Sequence, residues 1–264
     1  MKNVKKVIIG PTFYAAGQLL QADNDVLVTG RNSSIGDEWC YSYRNIASQD
    51  FFPQTDFSLQ LKKQLDGLGL NSPGKNALAF SVLLYERLAE NSEKLRLWTE
   101  LESIKENADG FELTLYTVSG REVVQCEELL DNTVKAVTFP VWGAGNIKSK
   151  SLNMLVECNV ESVSGLISFE GLKIYPGRVD SEKIVSYEID PDASMQAVRA
   201  KMLDIWQNRP ESARAWKIGA FGSEFDYETE LDAYEIKPNW HYLNPLAFDN
   251  PASAFEAGLT GGVK

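Results

Sequence analysis

The turn Gly10-Pro11-Thr12-Phe13-Tyr14-Ala15 fits the frame G-x-G-x-x-G/A at its first and third positions and carries Thr12 at the second. In that frame the first glycine permits a tight turn, the second lets backbone approach a pyrophosphate, and the third small residue packs helix on strand. A threonine side chain at the second position crowds a phosphate, while its hydroxyl offers one a hydrogen bond. Where an acidic residue would hold a ribose, the chain has Thr29 and Gly30, and Arg31 follows. An arginine there is how related nucleotide folds accept a ribose 2′-phosphate, although a solvated loop arginine gives the same letters. His241, the only histidine, lies in Asn239-Trp240-His241-Tyr242. It is a candidate proton donor, and its aromatic neighbours equally suit a packed core histidine.

Other reactive types carry less. Cys40, Cys126 and Cys158 are an odd number at wide spacing without a CxxC, which argues against a disulfide framework, a redox pair or a zinc site and makes Cys40 a packing thiol. Asp226, Glu228, Glu230 and Asp232 alternate with no histidine nearby and read as a solvated strand edge, so no metal site is expected. Trp39, Tyr41, Tyr43, Phe51 and Phe52 line a pocket or interface, or belong to scattered core. The 264 residues carry 26 Lys and Arg against 37 Asp and Glu, a net charge of −11 present in both halves of the chain. No basic module hides in this acidic average, so neither nucleic acid nor an anionic membrane is an expected partner. The apolar run in MKNVKKVIIG is too short for a signal segment, and no stretch approaches a membrane span, which reads as a soluble cytoplasmic protein.

The elements that must position these residues follow from periodicity. Residues 4–10 read as a strand buried on both faces, 13–21 as a helix and 25–29 as a second strand, which opens a βαβ unit with a parallel sheet. A loop over 32–54, a helix over 57–70, a turn at Asn71-Ser72-Pro73-Gly74 and an amphipathic helix over 76–91 follow. Three meander strands are expected at 95–104, 111–118 and 122–125, and a separate buried strand at 128–133. Beyond residue 134, antiparallel strands at 152–163, 171–176 and 183–190 precede a helix over 195–207, opened by Asp190-Pro191-Asp192-Ala193 with proline and acids in its first turn. A second helix starts at Asn250-Pro251.

In this order VIIGPTFYAAG, DVLVTGR, IGDEW with Gly36, the helix before Leu95, the meander and ELLDNT resemble the FAD-binding domain of FAD-dependent oxidoreductases of the glutathione-reductase type over the first half of the chain. The resemblance implies an α/β fold: a Rossmann-like three-layer FAD/NAD(P)-binding domain with a β-meander, formed by residues 1–135 and 240–264, plus an inserted, mainly antiparallel β-sheet (α+β) domain over 136–239. It places Gly10, Thr12 and Ala15 at the pyrophosphate, Gly30 and Arg31 beside the adenosine ribose, and the backbone of Leu101 at the adenine. Asp249 and Asn250 would lie by the ribityl chain or pyrimidine, where helix amides stabilise a reduced flavin. Thr12, Gly30 and Asn132 depart from the family's pattern. The implied function is an FAD-dependent oxidoreductase acting on a small organic substrate. Beside it stand a flavin-free scaffold or partner subunit, paired with a protein or a second copy, and an NADP-binding protein using Arg31.

Overall fold

The computed structural model describes residues 2–21, 25–46, 52–68, 77–140, 145–158, 167–230 and 232–262. The expected turn at 71–74, Phe51 and the end of the expected strand 152–163 lie outside them. The chain forms two compact units, one of Met1–Asp37, Ala47–Asn146 and Glu230–Lys264, the other of Glu38–Ile46 and Ile147–Thr229.

In the first unit the β-branched run of β1 (Lys2–Ile9) is fully buried from Val7 to Ile9, while its amino-terminal half is only partly covered. Helix α1 (Phe13–Leu20) follows at once and returns the chain to β2 (Val26–Thr29), which lies parallel to β1 with Ile9 opposite Thr29. A short turn of helix, α2 (Asp37–Cys40), lies within the segment read as loop. Helices α3 (Asp56–Gly67) and α4 (Ala77–Leu88) come next, and the stretch read as one strand from 95 to 104 is divided into β3 (Leu95–Arg96) and β4 (Glu100–Asn107). The break falls at Trp98, whose φ of +53° no ladder accommodates.

Strands β5 (Gly110–Thr117) and β6 (Gly120–Asp131) complete the meander. The two strands expected at 122–125 and 128–133 are one. The first half of β6 pairs antiparallel with β5, and its second half runs parallel to β1. Residues 124–126 pair with both, and burial changes from alternating to continuous once parallel partners flank the strand, which is why its sequence reads as two strands.

Naming the remaining strands in chain order, β7 (Ile147–Glu157), β8 (Leu172–Pro176), β9 (Glu182–Ile189), β10 (Lys217–Phe221) and β11 (Asp226–Thr229) form the sheet of the second unit, and β12 (Ala233–Lys237) and β13 (Trp240–Leu243) return to the first. The first sheet then has the order β12-β13-β6-β1-β2-β3, with β13, β6, β1, β2 and β3 parallel. One core, of Val4, Val7, Ile9, Leu27, Leu113, Leu115, Val124 and Leu129, closes on Phe111 and Trp240. The helical layer is joined by rings: Phe80 of α4 meets Phe13 of α1, and it meets Phe255 of the last helix, α6 (Pro251–Thr260), edge-on.

The second unit orders its strands β10-β7-β9-β8, with β11 beside β7. One face buries Leu152, Met154, Val156 and Val185 against Val198, Met202, Ile205 and Trp206 of α5 (Met195–Gln207). Ser194 caps that helix, and no acidic residue lies in its first turn. Pro191 and the neighbouring acids therefore precede α5 rather than open it. Asp226, read as solvated, is half-buried and ion-paired with Arg44, and it accepts from Asn153 Nδ2 at 3.2 Å. Burial raises its carboxyl above the ordinary range more strongly than Arg44 lowers it. Asn153 also donates to the carbonyls of Ser42 and Tyr43, which fastens segment 42–44 to the sheet.

Candidate functional site at the carboxyl ends of the parallel strands

In open α/β sheets, ligands bind outside the carboxyl ends of the strands. Here those ends are Gly10 after β1, Gly30 after β2, Asn132 after β6 and Asn244 after β13. Gly10 is required for its conformation and its neighbour: φ is +113°, and a Cβ there would lie 2.5 Å from the Asn132 carbonyl oxygen. Its N–H donates to the Thr29 carbonyl at 2.8 Å. Thr12 is the N-cap of α1, its Oγ1 accepting the Ala15 N–H at 3.1 Å. The same hydroxyl donates to Asn132 Oδ1. Asn132 Nδ2 donates in turn to the Leu243 carbonyl at 2.7 Å, and its backbone N–H to the Ile9 carbonyl at 2.7 Å.

The remaining expected residues are placed as follows. Ala15 is fully buried. Gly30 has both backbone groups engaged, donating to the Arg96 carbonyl and accepting from the Thr99 N–H, and Pro11 packs against it. Arg31 Nε pairs with Glu100 at 2.8 Å, with 78% and 49% of the two side chains exposed. Such a pair contributes little, so Arg31→Ala is expected to change unfolding free energy by less than about 1 kcal/mol. NADP is expected to leave the melting temperature of both proteins unchanged; protection of the parent that Arg31→Ala removes would restore the NADP reading.

Leu101 lies in β4 beside a bulge, opposite Leu115. Asp249 is exposed, and Asn250, fully buried, caps α6 by accepting the Ser253 N–H at 2.9 Å. His241 is exposed on β13 between buried Trp240 and Tyr242, so it is not a core histidine. Of the aromatics at 39–52, Trp39 is buried, while Tyr41 and Phe52 are exposed. No group of three or more metal-ligating side chains is assembled among the described residues. Nor is any helix among them long and apolar enough to cross a membrane.

Two features of this edge had no place in the sequence reading. Asp131, the last residue of β6, is fully buried and accepts from the backbone N–H and hydroxyl of both Thr133 and Thr138. Trp240 Nε1 donates to the Thr138 hydroxyl at 3.1 Å, continuing the network. The only hint in the sequence is the Asp-x-Thr spacing of an Asx turn. The second feature is the crossing of α1 and α6 at Gly17 and Gly258, signalled by glycine inside a helix.

No family model matches the sequence, and no curated protein matches it. Solved structures do. Aklavinone-11 hydroxylase, in a ternary complex with FAD and aklavinone, aligns over 98% of this chain and 61% of its own at a TM-score of 0.62 and 11% identity. A geranylgeranyl bacteriochlorophyll reductase-like protein from Thermoplasma acidophilum aligns over 99% and 77% at 0.60 and 9%. The p-nitrophenol 4-monooxygenase of Pseudomonas putida aligns over 98% and 77% at 0.57 and 12%. The chain has the fold of FAD-dependent oxidoreductases. Its parallel and mixed sheet with a meander, and the separate antiparallel sheet, are the architecture expected from the sequence.

The residues at the strand ends of this FAD-oxidoreductase fold do not fit the pyrophosphate of FAD. A cradle for a phosphate must be open on the side from which the phosphate enters, and the residues of the first turn of α1 are buried. Thr12 is 4% exposed, Phe13 0% and Tyr14 2%. Phe248 stacks on Tyr14, and the Gly36 N–H closes on the Pro11 carbonyl at 2.9 Å. The hydroxyl that could have served a phosphate is already donating to Asn132.

The cysteines behave as their burial dictates. Cys126 and Cys158 are buried, whereas Cys40 is only partly so, against the expectation of a fully packed thiol. Burial pushes the Cys126 thiol up to about 12. Native-state alkylation near neutral pH is expected to modify Cys40 first and Cys126 about a thousandfold more slowly than an ordinary cysteine, from thiolate fraction alone. Mass mapping of the first modified peptide checks this, and early labelling of Cys126 would contradict it.

Proposed function

We propose that the chain is a flavin-free binding or scaffold subunit built on the FAD-dependent oxidoreductase fold. The observation that carries this reading is the Thr12 hydroxyl, engaged with Asn132 within a buried first turn of α1. A protein that keeps the sheet and its helices while filling the phosphate position has retained the fold for what its surface binds. Its charge of −11 favours a partner that is not a polyanion, such as another protein or a second copy. Purified protein is expected to be colourless and to gain no thermal stability when FAD is added in large excess, because ligand stabilisation follows mass action. Yellow protein that releases FAD on heating would overturn the proposal.

The likeness to a hydroxylase and a monooxygenase favours a second reading, an FAD-dependent oxidoreductase acting on a small organic substrate. The same spectrum and melting curve separate the two. On that second reading Asn250 and the amino terminus of α6 would face the flavin, which supplies the hydride chemistry when bound.

A further inference from the structure

We infer that Thr12 and Asn132 are the residues that decide what the carboxyl ends of the parallel strands accept, acting as a latch that excludes a dinucleotide phosphate and ties the strand ends together in its place. The inference rests on the flavin-free reading and deepens it. Three features make the pair exclusive rather than merely present. The Thr12 hydroxyl has one hydrogen, and Asn132 Oδ1 takes it. The Thr12 oxygen also takes the Ala15 N–H, one of the unsatisfied amides at the start of α1 that a phosphate would need. Asn132 presents an acceptor to this turn, and a phosphate oxygen, also an acceptor, could not pair with it. It cannot turn its amide to donate instead, because Nδ2 is held by the Leu243 carbonyl at 2.7 Å.

The latch therefore joins the turn after β1, the end of β6 and the end of β13 through one asparagine. It does so with protein atoms and no charge. In sequence the partners are 120 residues apart, and each alone reads as a damaged motif.

The test is thermal unfolding of the full chain and of Thr12→Gly/Asn132→Gly, with inorganic pyrophosphate and with FAD as probes. The parent is expected to ignore both. The double variant is expected to melt about 5 °C lower, having lost a helix cap and a buried hydrogen bond, and to recover part of that loss as pyrophosphate or FAD is raised. A folded double variant as indifferent as the parent would overturn the latch as the excluding element while leaving the flavin-free reading intact. A parent that binds FAD would instead overturn the flavin-free reading. Should the double variant not fold, Thr12→Ser and Thr12→Val decide. The serine keeps the hydroxyl and is expected to melt near the parent, whereas the valine keeps the shape and is expected to fall. Equal melting of the two would overturn the latch.

Discussion

Gly258→Ala is expected to destabilise the protein by about 3 kcal/mol, lowering its melting temperature by about 6–12 °C. Helices α1 and α6 meet backbone to backbone. A Cβ on Gly258 would lie 2.1 Å from the Tyr14 carbonyl oxygen, and one on Gly17 would lie 2.2 Å from the Phe255 carbonyl oxygen. Backbone cannot rotate away as a side-chain tip can, so one helix has to move. Moving α6 drags Phe255 off Phe80 and Phe57 and stretches the bond from Gln18 Nε2 to the Gly258 carbonyl, 2.7 Å in the parent. The gain in helix propensity from glycine to alanine, at most about 1 kcal/mol, is too small to offset this. Gly67→Ala in α3 is the control, because nothing lies within 4 Å of its added Cβ. It is expected to be neutral or slightly stabilising. A Gly258→Ala protein that melts with the parent would show that the crossing is looser than its distances imply.

The order of elements was legible because local periodicity and turn chemistry determine it: a β-branched run ending in glycine, a helix beginning at once, a second short strand. Double use of one segment was not legible. The segment GREVVQCEELLD has β5 and then β13 on one edge and β1 along its second part on the other, and its buried pattern changes with them, so a single strand carries two signatures. Helix starts were legible where the cap is local, as at Asn250-Pro251, and misread where a proline precedes the true cap, as at Pro191 before Ser194.

At the candidate site the departures from a motif were legible and the contacts between them were not. Thr12, Gly30 and Asn132 could each be read as departures from a phosphate-binding pattern, but that two of them hydrogen-bond to each other is a fact of tertiary structure. Asp226 failed for the same reason, since its partner Arg44 lies 182 residues away. His241 is different. Period-two alternation along Trp240-His241-Tyr242 puts it on the side opposite two large aromatics, so its exposure follows from the strand itself.

Asp131→Ala is expected to be the most damaging single polar substitution at this edge, costing about 3–5 kcal/mol. The carboxylate accepts four hydrogen bonds, the backbone groups at 3.0 Å from Thr133 and 2.7 Å from Thr138 and the hydroxyls at 2.6 and 2.7 Å. Removing it leaves two backbone N–H groups without their acceptor beside the network of Trp240, while the threonine hydroxyls can turn elsewhere. Asp131→Asn separates charge from shape. Its Oδ1 can serve one threonine, but its amide must face the donors of the other, so about half the loss should remain. The pH dependence gives a second, independent signature. Burial raises the Asp131 carboxyl above its ordinary 3.8, and the bonds from Thr133 and Thr138 offset that only in part. A folded-state proton affinity above the unfolded one means the native protein holds the extra proton. The stability this group contributes is therefore full below 3.8 and is lost as pH rises through the raised value. The asparagine does not titrate, so the gap in unfolding free energy between parent and Asp131→Asn should narrow from acid toward neutral pH. A gap that widens over that range would mean that the four hydrogen bonds outweigh burial and that Asp131 is held as a carboxylate well into acid.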